Sequence, residues 1–470
     1  MRTPIDAALL SILLIAQAAH AQPETAPVAP AQSSDIPAPP DVVDPMLRPV
    51  ARAQIEIATW DDALAYLRAR STDLRIALDE VTRAEAQSRT ALAGALPQIN
   101  GQAAFTHNLI TNESSQISGL TANGIPIFTD VKTPYPNYLS GSIVATQPVV
   151  AFRTWNSIGT ARVAVDAAKE SVSDVKRQIA LGVANAIVGV VTAERVCELN
   201  RIGLRNALQR LELTVRKEAL GGASGIDVVR ARQDVETARS TLVAGDESLR
   251  QSRESLGLAL GVPDQIGVAP NVDISGLEQG TRAVCKPASS VDERPDIAAL
   301  RTRMEVAHRN VNDAKYQYAP TLTLQSQLGT TTIDTGIAPN TTWNVQAVLN
   351  VPIWDGGARY GNVRDAKAQE LEAFEKLTSQ RRQATVEIAR ARRAVAVTEE
   401  RRAVAESTRD LAIENDRLTR LAYQEGRGTS LELVATAQAL REAEIELALR
   451  EFETVNARVS ALLSLATCPW

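Results

Sequence analysis

The chain has 470 residues, and 55 acidic against 50 basic side chains leave a formal net charge of −5. So even a balance gives no argument for nucleic acid as a partner. Aromatic residues are scarce and alanine abundant, which favours long helices over a compact aromatic core. The three histidines, His20, His107 and His308, stand in no metal or catalytic spacing, so the sequence predicts neither an enzyme, a resident metal nor a cofactor.

Residues 1–21 read as a secretory signal peptide. Arg2 supplies a positive start, "AALLSILLIAQAA" an apolar stretch, and Ala19-His20-Ala21 an A-x-A cleavage site. No cysteine follows it, so no lipid anchor is expected. Beyond it no run of 18 apolar residues reads as a transmembrane helix, and insertion into a membrane would have to be by strands. Residues 22–54, rich in Pro, Ala and acidic side chains, read as an extended, mobile arm.

The rest of the chain is a twofold repeat, residues 55–264 and 293–470, joined by an inter-repeat segment at 265–292. "DLRIALDEVTRAEAQSRTALAGALPQI" from Asp73 aligns with "DIAALRTRMEVAHRNVNDAKYQYAPTL" from Asp296, placing Pro97 on Pro320. Further on Pro148 of "ATQPVVAF" falls on Pro352 of "LNVPIWDG" at a smaller offset. An insertion in the first copy, around residues 108–137, accounts for the difference. Its Asn, Gly, Pro, Ser and Thr content reads as a long loop. Each repeat is expected to run helix, strand, loop, strand, long helix, turn, helix.

The strands are predicted by alternation. Ile99, Gly101, Ala103 and Phe105 oppose Gln98, Asn100, Gln102 and Thr106; Leu322, Leu324 and Leu328 oppose Thr321, Thr323, Gln325 and Gln327. Trp343, Val345, Ala347, Leu349 and Val351 oppose Asn344, Gln346 and Asn350, and Leu139, Ile143 and Ala145 mark a weaker fourth strand. Segments of about ten residues suit tilted strands across a bilayer. Eleven of the seventeen aromatics fall within 105–155 and 316–360, around these strands, as an interfacial girdle would require. A soluble antiparallel sheet with one wet face explains the alternation equally well.

No proline interrupts Trp155 to Ala219 or Trp354 to Tyr423. At 1.5 Å per residue each helix would span about 100 Å. Ala161, Val165, Ala168, Val172, Val175, Ile179, Gly182, Ala186, Gly189, Ala193 and Val196 form a heptad seam of small residues. Each long helix ends in a glycine-rich turn, "EALGGASGIDVVRARQD" at 218–234 and "YQEGRGTSLELVATAQA" at 423–439. Gly221, Gly222, Gly426 and Gly428 are expected to reverse the chain with positive φ. Ser224 with Asp227, and Thr429 with Glu432, read as capping boxes of the returning helices.

The fold class is thus α+β, mainly α, with long helical hairpins and four strands per chain. Four strands cannot close a barrel, and open edges are not tolerated in hydrocarbon. Three chains would give twelve strands; two chains, giving eight, also satisfy the count.

At this point "LPQI" entering a strand, "VPIWDGG" leaving one, the paired turns and the repeat resemble the TolC-type outer membrane efflux proteins. The resemblance covers residues 55–468 or so. It implies a homotrimer, with a twelve-stranded barrel in outer membrane lipid of a Gram-negative bacterium and a helical tunnel through the periplasm. It also implies a periplasmic adaptor and an inner-membrane pump as partners, in efflux or type I secretion. Pro148, Pro352, Asp355, Gly356 and Gly357 fall at the strand-to-helix turns. Gly221, Gly222, Ser224, Gly426, Gly428 and Thr429 fall at the tips, where an adaptor docks. Asp227 falls on the family's gating aspartate, Tyr423 on the tyrosine that bonds across the gate, and Glu432 on an acidic ring position. Two positions depart from the family. Its gate arginine falls on Gly428, with Arg427 one place early, and a second acidic position falls on Ala435. In an oxidising compartment Cys285 is expected to pair with Cys468, near mid-height of the helical body, with Cys197–Cys285 as the alternative. A periplasmic coiled-coil adaptor or structural protein is the rival reading, but such an adaptor has one helical hairpin and lacks the paired strands.

Overall fold

The computed structural model describes residues 40–270, 274–333 and 339–470. The expected signal peptide and the arm up to residue 39 lie outside the described residues.

In chain order, β1 (Ile55–Ile57) leads into α1 (Trp60–Arg70) and α2 (Thr72–Ala93). Four strands follow: β2 (Gln98–His107), β3 (Asn112–Leu120), β4 (Pro126–Thr133) and β5 (Asn137–Val150). Then come the first long helix α3 (Phe152–Ala219) and its return α4 (Gly225–Ala259). The inter-repeat region holds β6 (Ile266–Val268), α5 (Ile274–Val284) and β7 (Lys286–Pro287). The second copy runs α6 (Pro295–Lys315), β8 (Thr321–Thr331), β9 (Thr341–Asn350), α7 (Ala358–Gln424) and α8 (Ser430–Leu463), ending in β10 (Ala466–Thr467). The 68 residues of α3 and 67 of α7 make helices of about 100 Å.

The two copies meet in one antiparallel sheet of order β2-β5-β8-β9. Its register aligns the alternation of all four strands: Phe105 faces Leu139, Ile143 faces Leu328, and Leu328 faces Trp343. One face therefore carries Ile99, Phe105, Leu139, Ile143, Leu324, Leu328, Trp343, Val345 and Leu349, all exposed. The other carries amides and hydroxyls; Gln346 donates to Gln325 at 2.9 Å across the β8–β9 pair. No strand of this sheet contains Asp, Glu, Lys or Arg. Among the described residues of this chain, β2 and β9 are its unpaired edges.

The segment expected as a loop at 108–137 instead folds as a hairpin of β3 on β4, turning at Gly124 with φ +79°. Asn123-Gly124 is a strong hairpin signal. The Asn, Ser and Gly of its flanks, poor strand formers, hid the alternation.

The main core lies where the helices cross the short strands. Ala180, Val183, Ala184, Ile187 and Val190 of α3 pack with Leu64 and Leu67 of α1, Ile266 of β6 and Val459 and Leu463 of α8. α3 does contain an 18-residue window apolar enough to cross a membrane by length and composition. Its apolar side chains supply this core. Cys285 and Cys468 are disulfide-bonded within it, 183 residues apart in sequence. Of the two pairings the sequence left open, the other is absent: Cys197 is a buried free thiol. Burial, with Asp246 beside it, pushes its pKa up to about 11.

The last part of the segment expected to be a mobile arm is docked. Asp44 pairs with Arg239 of α4 at 2.7 Å, and Arg253 donates to the Ala51 carbonyl at 2.7 Å. Met46, Leu47 and Val50 pack against the α3–α4 hairpin. Composition alone did not register these few apolar anchors among the prolines.

Candidate functional site: the paired helical tips

The two hairpins end in the glycine turns, and the sequence builds both by one device. Leu220 and Glu425 close α3 and α7, then Gly221 (φ +77°) and Gly426 (φ +76°) take the left-handed conformation that reverses the chain. Gly222 and Gly428 do not share it. A Cβ on Gly222 would meet only Lys217 O at 3.6 Å, so nothing there demands glycine. Gly428 is crowded: a Cβ would lie 3.0 Å from the Tyr423 amide nitrogen and 3.3 Å from the Ala422 carbonyl carbon, so a side chain there would need the turn to give by a few tenths of an ångström. The amides of Arg427 and Gly428 both donate to the Ala422 carbonyl, at 2.8 and 3.0 Å, and hold the turn that tight.

Both returning helices start in capping boxes. Thr429 Oγ1 accepts from the Glu432 amide at 3.2 Å, and Glu432 Oε2 accepts from the Thr429 amide at 2.9 Å. In the first tip Asp227 Oδ2 accepts from the Ser224 amide at 3.0 Å, and the Ser224 hydroxyl also donates to it at 2.8 Å.

Asp227 reaches across to the second tip as well, where the Ser430 hydroxyl donates to its Oδ1. Hydrogen bonds from Ser430 and then Ser224 hold its carboxyl below the usual range. Arg230 of the same helix lies 3.7 Å away. Glu432 is held below its usual range by Thr429. The Tyr423 ring lies under Lys217 of α3, with Nζ 3.9 Å from its centroid. Burial and then the Asp227 charge raise the Tyr423 pKa.

The site residues expected from the sequence are only partly brought together. Asp227 and Tyr423 lie in one cluster across the tips. Arg427 does not join them: its side chain is 82% exposed and its carboxylate neighbour is Glu425, 3.8 Å away. A residue just past the turn of α7 points outward once the turn closes on Ala422. The Glu432 carboxylate is engaged by its own helix cap. Lys217 and Ser430 were not singled out from sequence. Their partners lie more than 200 residues away, so no local spacing signals them.

The remaining expected positions lie at the other end of the long helices. Asp355 Oδ2 accepts from the Arg359 amide at 2.9 Å and from Arg359 Nε at 2.7 Å, heading α7. Gly356 and Gly357 take φ of +70° and +91° before it. Arg359 also donates to the Pro352 carbonyl at 3.0 Å, fixing the exit from β9. Pro148 is still within β5, opposite Thr323, where the register shifts before Val150. A proline there, at an irregularity in the ladder, is where a strand tolerates a missing donor.

Comparison with known proteins bears on the whole of this architecture. The family described as outer membrane efflux protein matches residues 63–262 and 287–466, one block per repeat. Nodulation protein T of Rhizobium leguminosarum bv. trifolii is 26% identical over 315 residues, 65% of this chain and 66% of that protein. The toluene efflux pump outer membrane protein TtgC of Pseudomonas putida is 26% identical over 198 residues, 41% of each. The matches thus span less than two thirds of these relatives' own length. A crystal structure of CusC superposes with a TM-score of 0.74 at 20% identity, over 91% of this chain and 99% of that one, and carries the same fold. With both repeats matched and the fold shared, the chain belongs to the outer membrane efflux protein family.

Proposed function

We propose that three copies of this chain form a passive exit duct in the outer membrane of a Gram-negative bacterium, with the long hairpins reaching into the periplasm. The observation that carries this is the four-stranded sheet, apolar on one face across its whole width and, among the described residues, unpaired at both edges. Such a sheet is stable in lipid only when β9 of one copy pairs with β2 of the next and the ring closes; three copies make a barrel of twelve strands. Phe105 and Trp343 would stand in the aromatic belts. α7 supports the same assembly. Beside its buried Ala384, Ile388 and Ala405, it exposes Val397, Val404, Leu411 and Leu418 at seven-residue spacing, a seam for a helix of a neighbouring copy.

In this reading the tips are the periplasmic gate and the face toward a periplasmic adaptor and an inner-membrane pump, which supplies the energy. Asp227, Tyr423 and Glu432 then ring the narrow end, each present three times. The duct needs no catalytic residue and no resident cofactor. Its test is reconstitution of the outer-membrane protein in a planar lipid bilayer. Discrete conductance steps from a heat-modifiable trimer are expected; a monomer without conductance would overturn the proposal.

A further inference from the structure

The polar face of the four-stranded sheet carries amides in register. Gln98, Thr146, Gln325 and Gln346 stand opposite one another on β2, β5, β8 and β9, one row across the sheet. Asn100, Val144, Gln327 and Asn344 make the next row on the same face. Neighbours within a row lie about 5 Å apart, and the two rows about 7 Å apart along the strands. Six of these eight side chains are amides and none is ionisable. Gln346 donates to Gln325 at 2.9 Å within the first row. Gln98, Asn100, Gln327 and Asn344 are exposed, so their donors and acceptors are open to a solute. The β3–β4 hairpin, in contrast, carries Glu113, Asp130 and Lys132.

We infer that these two rows are a binding subsite for uncharged, hydroxyl-bearing chains, of the kind a neutral oligosaccharide presents, and that such chains are a substrate class of the duct. The inference rests on the sheet closing into the proposed barrel, where six amides per copy would set two rings around the exit. A primary amide holds a carbonyl acceptor and an N–H donor side by side. One side chain can therefore meet two neighbouring hydroxyls, accepting from one and donating to the other. A charged solute finds no ion pair on this face and would exchange part of its hydration for neutral partners. A sugar hydroxyl exchanges water for an amide at small net gain. Weak contacts repeated around a ring hold a chain without stopping its passage.

The full-length trimer in a planar bilayer is exposed to three probes: maltohexaose, a polyethylene glycol of the same hydrodynamic size, and the anionic hexagalacturonate. Maltohexaose is expected to lower the current saturably. The glycol, whose chain oxygens only accept, should lower it in proportion to concentration, and hexagalacturonate should bind more weakly than maltohexaose. Gln327→Leu and Asn344→Leu combined should weaken maltohexaose about five- to thirtyfold, as the loss of two hydrogen bonds of ordinary net strength would. Ser140→Ala, on the same face two rows further along β5, should bind it like the parent. If the parent does not conduct, the duct reading fails and takes the subsite with it. If it conducts but maltohexaose acts no differently from the glycol, or hexagalacturonate binds as tightly, the duct stands and the subsite is wrong; these arms need no variant. The subsite is equally wrong if the double variant binds like the parent or if Ser140→Ala loses as much as the double variant.

Discussion

Asp227 and Ser430, 203 positions apart, are joined by a hydrogen bond from the Ser430 hydroxyl to Asp227 Oδ1. Asp227 also closes the capping box of α4, so one carboxylate serves a helix end and a contact between hairpins. The two roles separate by substitution. Asp227→Asn keeps a good acceptor in the first turn but loses the charge. It should leave thermal stability within a few tenths of a kcal/mol and raise conductance. Asp227→Ala should lose the cap as well, at a cost of about 0.5–2 kcal/mol. Equal conductance in Asp227→Asn and the parent would leave capping as the residue's whole role.

The pH dependence has a definite sign. Asp227 is held below its ordinary value of 3.8, chiefly by Ser430. A depressed carboxyl contributes stability that is fully present above the ordinary value and is lost as pH falls through the lower folded one. Conductance should therefore stay flat from neutral pH down to the ordinary aspartate value and rise only below it. Asp227→Asn should show no such acid rise at the tip. A rise centred well above that value would assign the transition to another group.

Adjacent residues of β9 test which face of the sheet meets lipid. Val345→Arg places a charge on the apolar face and should destabilise the barrel by about 2–4 kcal/mol per copy at mid-bilayer depth. Asn344→Arg places it on the uncharged polar face, so the trimer should assemble normally. Single channels should then turn toward anion preference, since the four strands of this sheet bring no other fixed charge. Reversal potentials and heat-modifiability read both effects.

The Cys285–Cys468 bond closes the inter-repeat segment onto the end of α8. Peptide mapping without reduction should recover these two linked and Cys197 as a thiol. Replacing both by serine should cost about 2–4 kcal/mol, read as a lower melting temperature of the helical body. Cys197→Ser, away from the bond, should not change the map.

Much of this fold is legible because it is written in periods. The four strands of the sheet declare themselves by alternation, and the opposition of Ile99 and Phe105 to Gln98 and Gln102 survives into the paired register. The capping boxes of Ser224 and Thr429 are legible because three-residue spacing suffices to define them. What was missed is either weakly periodic or distant. The β3–β4 hairpin lies in poor strand formers, and the docked arm is held by Asp44, Met46 and Val50 among prolines. Lys217 meets the Tyr423 ring across two hairpins, and only the packing of one on the other brings them together. Arg427 illustrates the converse. Sequence position put it at the gate, and a turn closed on Ala422 directs it to solvent.

The claim on which the rest depends is that the sheet closes by pairing β9 of one copy with β2 of another, three times round. Native mass spectrometry of the protein extracted from outer membranes in mild detergent measures it directly. The account predicts a single species of three chains, about 150 kDa from a chain of 50.5 kDa less any leader removed. A monomer or dimer as the sole species, or the protein recovered only from the soluble periplasm, would contradict it.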